Sequence, residues 1–329
     1  MATNVVFLRS MQFLGGHLVT YPLLYQLRQL FPNDRLHVVG TDPIAAHYEG
    51  TPWVDSYIQA ECARKKLAAL KGVSRSFVLH YSSEQYALLT FLRRIGVRSG
   101  FRNGRVSDFL WTHRWKKDPN EYLGLANLQL ARQLSDFCPE TVARGAMAAL
   151  AETADPTLPL AQVVFIPGGG AGAYKRWHIG SYVALADALK AQFGLQSFCF
   201  ITGPGEAQEA DYIAGLGRAD FHVARNRSMA DIARLCLHAR LMVANDCGPS
   251  HIAQNVAGKY VGLFHDHEPQ WFWHRSGAVE LTPDNGTCDI QSITVERVAQ
   301  ACGRLLGESG YVFFKYKPCC TLPSESKQC

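Results

Sequence analysis

The sequence predicts an α/β protein built from two parallel β-sheets, each covered by helices on both faces. Three observations carry this prediction. The chain has 329 residues, about twice the size of an ordinary domain. Strand-like and helix-like segments alternate along nearly all of it, as in sheets whose strands are joined by crossover helices. The run 143–159 interrupts the alternation, because it lacks strand character and contains Pro156 and Pro159, and we interpret it as a linker.

The linker divides the chain into a first domain of residues 1–155 and a second of residues 156–310, followed by a tail of residues 311–329. In the first domain, short apolar runs predict strands and helical spacing of leucines predicts helices. The predicted strands are Asn4–Leu8, Arg35–Gly40 and Ser76–His80. The predicted helices are His17–Phe31, Ala60–Lys71, one capped by Ser83 and ending at Ile95, and Asn120–Phe137.

The second domain repeats the alternation with more apolar strands. The predicted strands are Gln162–Ile166, Ser197–Thr202, Phe221–Ala224, Arg240–Asn245 and Tyr260–Phe264. The predicted helices are Trp177–Phe193, Glu206–Leu216, Ser228–Ala239 with Ser228 as its cap, Pro249–Ala257 and Thr294–Leu306. Parallel strands end at one edge of their sheet, so we expect a ligand beyond those ends, in the cleft between the domains.

Composition and charge narrow the class of protein. Apolar residues make up 47% and charged residues 19% of the chain, which excludes a disordered protein. No apolar run is long enough for a membrane span and the N-terminus lacks a secretory pattern, so a cytoplasmic protein is expected. Residues 1–150 hold 18 Lys or Arg against 11 Asp or Glu. This excess suits a phosphorylated substrate, a membrane surface or nucleic acid; the alternative is an ordinary solvated surface.

The chain has ten cysteines but no Cys-x-x-Cys pair. Cys199 and Cys236 lie inside apolar runs, which indicates buried thiols in a reducing compartment. Cys319, Cys320 and Cys329 stand together in the tail, where a metal site is an alternative, but their spacing matches no standard one. The role of the tail stays open.

A Pro-Gly-Gly-Gly run follows the first strand of the second domain and continues to Lys175. Glycines let a ligand approach the backbone closely and leave N–H groups free to face anionic oxygens. Lys175 adds a positive charge beside the next helix. The segment predicts a phosphate site, with a solvated surface loop as the alternative.

The segment Asn-Asp-Cys-Gly-Pro-Ser-His lies where a predicted strand turns into a helix. Pro249 suits the first helical position, because its missing N–H needs no partner there. Asp246, Cys247 and Gly248 then stand at the positive end of the helix, which attracts phosphate, and His251 can face the same cleft. The alternative makes Asp246 a helix cap and His251 a surface residue.

Glu206 follows a Gly-Pro-Gly turn at the end of the second strand of this domain. Its carboxylate can accept hydrogen bonds from ribose hydroxyls or a base edge. The alternative is a carboxylate that only stabilises the first helical turn.

His265, Asp266, His267 and Glu268 form a cluster after the last predicted strand. These side-chain types bind metals, but a site needs three converging ligands, and a sequence cannot show convergence. A polar loop near the cleft is therefore the favoured interpretation.

Taken in order, these segments resemble the ADP-heptose:lipopolysaccharide heptosyltransferases of glycosyltransferase family 9. Residues 5–9 (Val-Val-Phe-Leu-Arg) and 14–18 (Leu-Gly-Gly-His-Leu) are similar to that family's strand–loop–helix start. The second half holds its Pro-Gly…Lys-Arg-Trp and Gly-Pro-Gly-Glu patterns. Its Asn-Asp-Ser-Gly-Pro-Met-His pattern is also present, with Cys247 in the Ser or Thr place. The resemblance covers about residues 4–308.

The resemblance implies a GT-B architecture, in which two Rossmann-like domains face a cleft, with the acceptor on the first and the donor on the second. It implies inverting transfer of L-glycero-D-manno-heptose from ADP-heptose to the lipopolysaccharide inner core, on a core or lipid A–Kdo acceptor. No cofactor, metal or nucleic acid is implied, and the Asp-x-Asp pair of many metal-dependent glycosyltransferases is absent. A peripheral contact with the anionic inner face of the inner membrane is expected.

The resemblance also assigns roles by position. Lys175 would hold the donor's phosphates, and Glu206 would contact the nucleoside. The sugar and pyrophosphate would bind a loop that His251 supports, formed by Asp246, Cys247 and Gly248.

One departure concerns the general base. The family carries Gly-Asp in its first loop, and that Asp is taken as the base for the acceptor hydroxyl, whereas this chain has Gly15-Gly16 followed by His17. Gly16 cannot accept a proton. Because an imidazole titrates near neutrality, His17 is the candidate base. The alternatives are another carboxylate that reaches in, with His17 turned to solvent, or a protein with weakened catalysis.

Three functions stay open on this basis. The first is an active heptosyltransferase. The second is a relative that binds the donor but has lost much of its catalysis, and the third is a GT-B transferase or epimerase with a different nucleotide sugar.

Overall fold

The computed structural model describes residues 1–10, 13–81, 84–170 and 172–307. The predicted Ser83 cap and the tail with Cys319, Cys320 and Cys329 lie outside the described residues. The strands are β1 (Thr3–Phe7), β2 (Arg35–Gly40), β3 (Ser56–Gln59), β4 (Val73–Val78), β5 (Val97–Arg102), β6 (His113–Lys116), β7 (Val163–Ile166), β8 (Phe198–Thr202), β9 (Phe221–Arg225), β10 (Leu241–Asn245), β11 (Tyr260–Leu263) and β12 (Ala278–Leu281). The α-helices are α1 (Gly15–Leu18), α2 (Tyr21–Leu30), α3 (Ala46–Glu49), α4 (Ala63–Ala68), α5 (Glu84–Leu92), α6 (Leu123–Arg132), α7 (Pro139–Ala151), α8 (Ile179–Phe193), α9 (Ala207–Gly215), α10 (Met229–His238), α11 (Ser250–Asn255) and α12 (Val295–Leu306).

The strands form two six-stranded sheets, with the orders β3-β2-β1-β4-β5-β6 and β12-β11-β10-β7-β8-β9. Every pairing in both sheets is parallel. Each order reverses beside its first strand, at β1/β4 and at β7/β10, which is the doubly wound arrangement. The predicted α/β fold with two parallel sheets is confirmed.

The central strands are apolar because helices cover both faces of the sheet. All residues of β7, β8, β10 and β11 are buried. Cys199 and Cys236 lie in this core as free thiols, as the sequence predicted. Ser228 caps α10 through its hydroxyl, which accepts a hydrogen bond from the Asp231 N–H. No helix in the described ranges is long and apolar enough to cross a membrane.

The predicted helix His17–Phe31 is wrong as a single element, because the chain breaks into α1 and α2. The Thr20 hydroxyl donates to the His17 carbonyl at 2.6 Å. Pro22, in the first turn of α2, has no N–H to continue the helical ladder from α1. The break turns Gly15–Leu18 into a separate turn at the mouth of the cleft.

The interpretation of 143–159 as a linker is also wrong for most of its length. Residues Pro139–Ala151 form α7, which starts with proline at a tolerated position and contains good helix formers. This helix packs on α2 and also on α10 and α11, and the Arg144 Nη1 donates to the Val256 carbonyl at 3.0 Å. It therefore joins the two halves, and the predicted boundary at 155/156 falls just after it.

Candidate active site

The candidate site lies at the switch point of the second sheet. Strands β7 and β10 are hydrogen-bonded neighbours there, so the loops that follow them leave the same edge of the sheet. Asn245, the buried last residue of β10, ties these loops together. Its Nδ2 donates to the Pro167 carbonyl at 2.7 Å, and its Oδ1 accepts from the Tyr182 hydroxyl at 2.8 Å. The two loops are thus held in a fixed relation where ligands of open α/β sheets bind.

Lys175 stands at the centre of this edge, on the short turn Ala173–Lys175. Its Nζ donates to Asp246 Oδ2 at 2.5 Å and to Glu268 Oε2 at 3.1 Å. Burial disfavours the ammonium form, but the hydrogen bonds and charges of the two carboxylates outweigh burial and raise the pKa of Lys175. The side chain therefore stays cationic over the physiological pH range.

Two adjoining cavities surround this cluster. One has a volume of about 310 Å³ and is lined by Lys175, Asp246, Glu268 and His251. The other has a volume of about 440 Å³ and is lined by Glu206 and the glycine run 168–170. Both cavities share the following residues of the cleft: Phe13, Gly15, Gly170, Cys247 and Gly248. The structure therefore brings all six residues predicted for the donor site to the walls of two cavities that share lining residues.

Glu206 forms part of the wall of the larger cavity and is held by two partners. Its Oε2 accepts from the Gly203 N–H at 2.9 Å, and its Oε1 lies 3.1 Å from Arg176 Nη2. These contacts fix the carboxylate beside the backbone of Gly168. Its contact with a nucleoside stays a prediction.

His251 is buried rather than on the surface, so the alternative of a surface residue is wrong. The Gln254 amide has a fixed orientation, because its Nε2 donates to the Trp271 carbonyl and its Oε1 accepts from the Trp273 N–H. The same Nε2 lies 3.3 Å from His251 Nδ1. An amide nitrogen only donates, so Nδ1 accepts and the ring proton sits on Nε2.

Burial, with the charge of Lys175 beside it, lowers the pKa of His251 to about 3. The ring is therefore neutral at physiological pH and can donate from Nε2 but cannot carry a charge. The Tyr122 hydroxyl lies 3.1 Å from Nδ1 on the other side, and the Tyr122 ring packs on His251 and on Trp273. His251 thus contacts the first half of the chain as well as the cavity.

His17 is the predicted site residue that the structure does not bring to these cavities. It is buried, and its Nδ1 lies 3.2 Å from the Tyr48 hydroxyl. The predicted alternative of a solvent-facing residue is therefore wrong. His17 instead lines a small adjoining crevice, about 20 Å³ in volume, which shares Arg9 and Gly16 with the cavity around Lys175.

Sequence reasoning missed Glu268 as a member of the site. It was grouped with neighbouring histidines as a metal alternative, but His267 turns away and its Nδ1 lies 3.0 Å from Glu280 Oε2. Nowhere in the described ranges do three or more His, Cys, Asp or Glu side chains meet as a metal site requires. Its position in the chain could have placed Glu268 at the site. Glu268 follows β11, which pairs with β10 and ends at the same edge of the sheet.

Two glycines allow the halves of the protein to approach closely across the cleft. A Cβ at Gly15 would lie 2.9 Å from His251 Cδ2, and a Cβ at Gly248 would lie 3.0 Å from the Leu14 side chain. A Cβ contact under 3.0 Å, as at Gly15, essentially never occurs, and one of 3.0 Å, as at Gly248, is tighter than nine in ten real contacts. A side chain at either position would therefore require His251 or Leu14 to shift.

We expect Gly15→Ala to lower kcat/KM by about tenfold or more, because it displaces His251 or holds the cleft open. Turnover and thermal unfolding would be measured together. Gly215→Ala is the matched control, since a Cβ there meets nothing within 4 Å and the position lies in helix α9. Parental turnover in Gly15→Ala would show that catalysis does not need this closed approach.

The fold and site together define a class of protein. Two doubly wound sheets face a cleft, and a lysine that pairs with two carboxylates lies at the switch point of the second sheet, in keeping with the GT-B arrangement of glycosyltransferases. The family model for glycosyltransferase family 9 (heptosyltransferase) matches residues 78–279. The chain belongs to this family.

Solved structures agree with this assignment at the level of the fold. Escherichia coli heptosyltransferase WaaC, solved with ADP-2-deoxy-2-fluoro heptose, superposes with a TM-score of 0.66 at 18% identity, covering 92% of this chain and 99% of that one. Escherichia coli ADP-heptose lipopolysaccharide heptosyltransferase II gives 0.59 at 19% identity, covering 93% and 98%. UDP-GlcNAc 2-epimerase from Methanocaldococcus jannaschii gives 0.52 at 11%, covering 93% and 99%. No match was found among curated protein sequences.

Proposed function

We propose that this protein is an inverting heptosyltransferase that moves L-glycero-D-manno-heptose from ADP-heptose to the lipopolysaccharide inner core. Family membership supports a glycosyltransferase. The observation that carries the proposal further is the meeting of Lys175, Asp246 and Glu268 beside two adjoining cavities. Their volumes lie in the range of small-molecule sites, and the related WaaC was solved with an ADP-heptose analogue.

In this proposal the donor spans the two cavities. The nucleoside occupies the larger one, where Glu206 can accept from ribose hydroxyls. The pyrophosphate lies at the junction, beside Lys175 and the backbone of Cys247 and Gly248. The heptose lies in the smaller cavity, where the Asp246 carboxylate and the His251 Nε2–H can bind its hydroxyls.

Transfer then proceeds by one displacement. The acceptor oxygen attacks the anomeric carbon of heptose, while the bond from that carbon to the β-phosphate oxygen breaks. ADP leaves with the electron pair, and Lys175 offsets the charge that develops on it. A base takes the proton of the acceptor hydroxyl, and attack from the face opposite ADP inverts the anomeric centre.

An anionic acceptor is supported by cations on the first half of the chain. The Arg9 guanidinium lies 5.0 Å from the centre of the Tyr81 ring, and the Lys117 ammonium lies 3.7 Å from it. Arg9 also lines the cavity around Lys175. Carboxylates or phosphates of a lipid A–Kdo or core acceptor would meet these charges beside the donor sugar.

Two side chains are candidates for the base. Glu268 lines the cavity with Lys175 and is a carboxylate, the group that the family uses for this step. His17 is the candidate that the sequence predicts, but its access to the acceptor runs through the small crevice beside Gly16. We propose Glu268 as the base and retain His17 as the alternative that the experiment must exclude.

We expect activity without a divalent metal, because Lys175 can neutralise the leaving ADP in place of a metal ion. EDTA should leave turnover unchanged, and added magnesium or manganese should raise it less than about twofold. A rate abolished by EDTA and restored by either metal would contradict this expectation.

The function itself is tested with a panel of nucleotide sugars and a heptose-deficient lipopolysaccharide acceptor, with products read by mass spectrometry. Heptose added only from ADP-heptose is the expected result. Tight binding of ADP-heptose without product would identify a donor-binding relative with weakened catalysis. Transfer of a sugar from another nucleotide sugar would instead identify a GT-B transferase with a different donor. Conversion of a nucleotide sugar to its epimer without any acceptor would identify an epimerase.

A further inference from the structure

Two exposed aromatic side chains line the cavity around Lys175. Phe13 is 58% exposed and Tyr174 is 55% exposed, and both belong to the walls of this cavity of about 310 Å³. They are two of the ten large apolar side chains that are exposed among the described residues. Exposed aromatic rings that line a cavity with charged walls indicate a ligand, whereas a scattered exposed apolar residue needs no explanation.

The Tyr174 ring is held in place although much of it is exposed. It lies against Gly172, where a Cβ would come within 3.1 Å of the ring atoms Cδ1 and Cε1. The φ angle of Gly172 is 150°, in a region that glycine adopts and other residues rarely do. The His265 ring also packs on Tyr174, with the ring centres 5.0 Å apart and the planes at 76°. The rest of the ring therefore offers a fixed, flat apolar surface to the cavity.

Burial separates this ring from the side chains proposed to bind the donor. Lys175, Asp246 and His251 are buried in the walls of the cavity, so a donor that meets them occupies its deeper part. A second substrate then enters from solvent and meets the exposed rings first. Arg9 and Ser10 of the first half line the same cavity, and both side chains can bind hydroxyl or carboxylate groups of that substrate.

We propose that Tyr174 forms a stacking subsite for the acceptor, in which a pyranose ring of the acceptor packs its C–H face on the exposed face of the Tyr174 ring. The stacking subsite rests on the proposed function and adds to it a residue of the second half that recognises the acceptor. A pyranose ring has an apolar C–H face and a rim of hydroxyl groups, so it matches a flat aromatic face in a cavity with polar walls. An acyl chain would leave those polar walls unpaired, and an anionic group is repelled by the negative face of an aromatic ring.

The kinetic test uses heptose-deficient lipopolysaccharide from which the acyl chains have been removed as a soluble acceptor. Tyr174→Ala should raise the KM for this acceptor by about tenfold, because the stacking contact is lost. The KM for ADP-heptose and the affinity for ADP, measured by calorimetry, should stay within about twofold of the parental values. Tyr174→Phe keeps the ring and should keep the acceptor KM. Tyr174→Leu is apolar but has no flat face, so it should behave like Tyr174→Ala.

The matched control is Phe109→Ala, which removes an exposed ring that lines neither cavity. Because both substituted side chains are exposed, circular dichroism should show an unchanged fold. Binding is also measured without turnover, by saturation-transfer NMR of the same deacylated saccharide in the presence of ADP. We expect saturation of the sugar C–H protons with the parent protein, with the control and with Tyr174→Phe, and its loss with Tyr174→Ala.

These measurements distinguish the stacking subsite from the proposed function. Saccharide binding that depends on Tyr174 in a protein without heptose transfer would contradict the proposed function and support the subsite. A parental acceptor KM and parental NMR signals in Tyr174→Ala would overturn the subsite and leave the proposed function intact. A rise in the KM for ADP-heptose alone would overturn it in favour of a contact with the donor. Binding of intact lipopolysaccharide but not of the deacylated saccharide would overturn it in favour of an acyl chain.

Discussion

Lys175→Ala should weaken binding of ADP and of ADP-heptose by about tenfold to a hundredfold, because it removes charge-assisted hydrogen bonds to phosphate. The effect on turnover should be larger than on binding, since in the proposed mechanism Lys175 also offsets charge that develops on the leaving ADP. The substitution leaves Asp246 and Glu268 without their shared cation, and these carboxylates then repel the pyrophosphate. Calorimetry with ADP and steady-state kinetics measure the two effects separately.

The control for this prediction is Lys190→Ala. Lys190 also forms an ion pair with a carboxylate, Asp220 at 2.8 Å, but lies on α8 and lines neither cavity. It should keep parental affinity and turnover. Lys175→Arg should keep most of the affinity, because the charge remains, and lose turnover, because the guanidinium has a different shape and reach. Unchanged ADP affinity in Lys175→Ala would remove this residue from the donor site.

Glu268→Gln should lower turnover by about a hundredfold to ten-thousandfold while the KM for the donor changes little, because an amide cannot take the acceptor's proton. Glutamine keeps the size of the side chain and an oxygen that can accept from Lys175.

The paired experiment compares Glu268→Gln with His17→Gln. Glutamine at position 17 retains a group that can form a hydrogen bond with the buried Tyr48 hydroxyl. If Glu268 is the base, His17→Gln keeps most of the turnover, and any loss follows its thermal stability. Asp187→Asn is the carboxylate control, because Asp187 is ion-paired with Arg218 and similarly exposed but lies on α8. Full activity in Glu268→Gln together with an inactive, folded His17→Gln would falsify the assignment of Glu268.

Gly16→Asp completes the comparison by restoring the family's residue. Gly16 lies inside α1 and lines the cavity around Lys175, so its backbone is helical, a conformation that an aspartate adopts readily. We expect this variant to keep parental activity and to rescue part of the turnover lost in Glu268→Gln. An inactive parent protein rescued by Gly16→Asp would instead identify a donor-binding relative that lost its base.

Much of the fold could be predicted because its main strands are short apolar runs that alternate with segments of helical spacing. The strand Arg35–Gly40 was predicted at its observed bounds, and the strands of the second sheet's centre within a residue or two. The four strands β3, β5, β6 and β12 were missed, because they contain polar residues such as Arg98 and His113. They lie toward the outer part of their sheets, where partial exposure permits a weak apolar pattern.

That the predicted residues of the second domain lie together could also be predicted, since each of them follows a strand. Lys175, Glu206 and Asp246 stand after β7, β8 and β10, and a parallel sheet brings such positions to one edge whatever the loops between them. The base could not be predicted in this way. Its identity depends on which side chains converge around one acceptor oxygen. Side chains from distant loops can converge without any recognisable spacing of residues in the sequence.

The sequence by itself determined the two parallel sheets, the switch point with its lysine and aspartate, and the absence of the family's aspartate at Gly16. Those features are local, because they depend on residue type and on position relative to a strand. Only the tertiary structure decided that Glu268 shares the ammonium of Lys175 and that His251 is a buried, neutral contact to Tyr122. It also decided that α7 joins the halves where a linker was expected. Each of these features depends on packing between segments that are far apart in the chain. Such packing exists only once the two halves have folded and come together around the cleft.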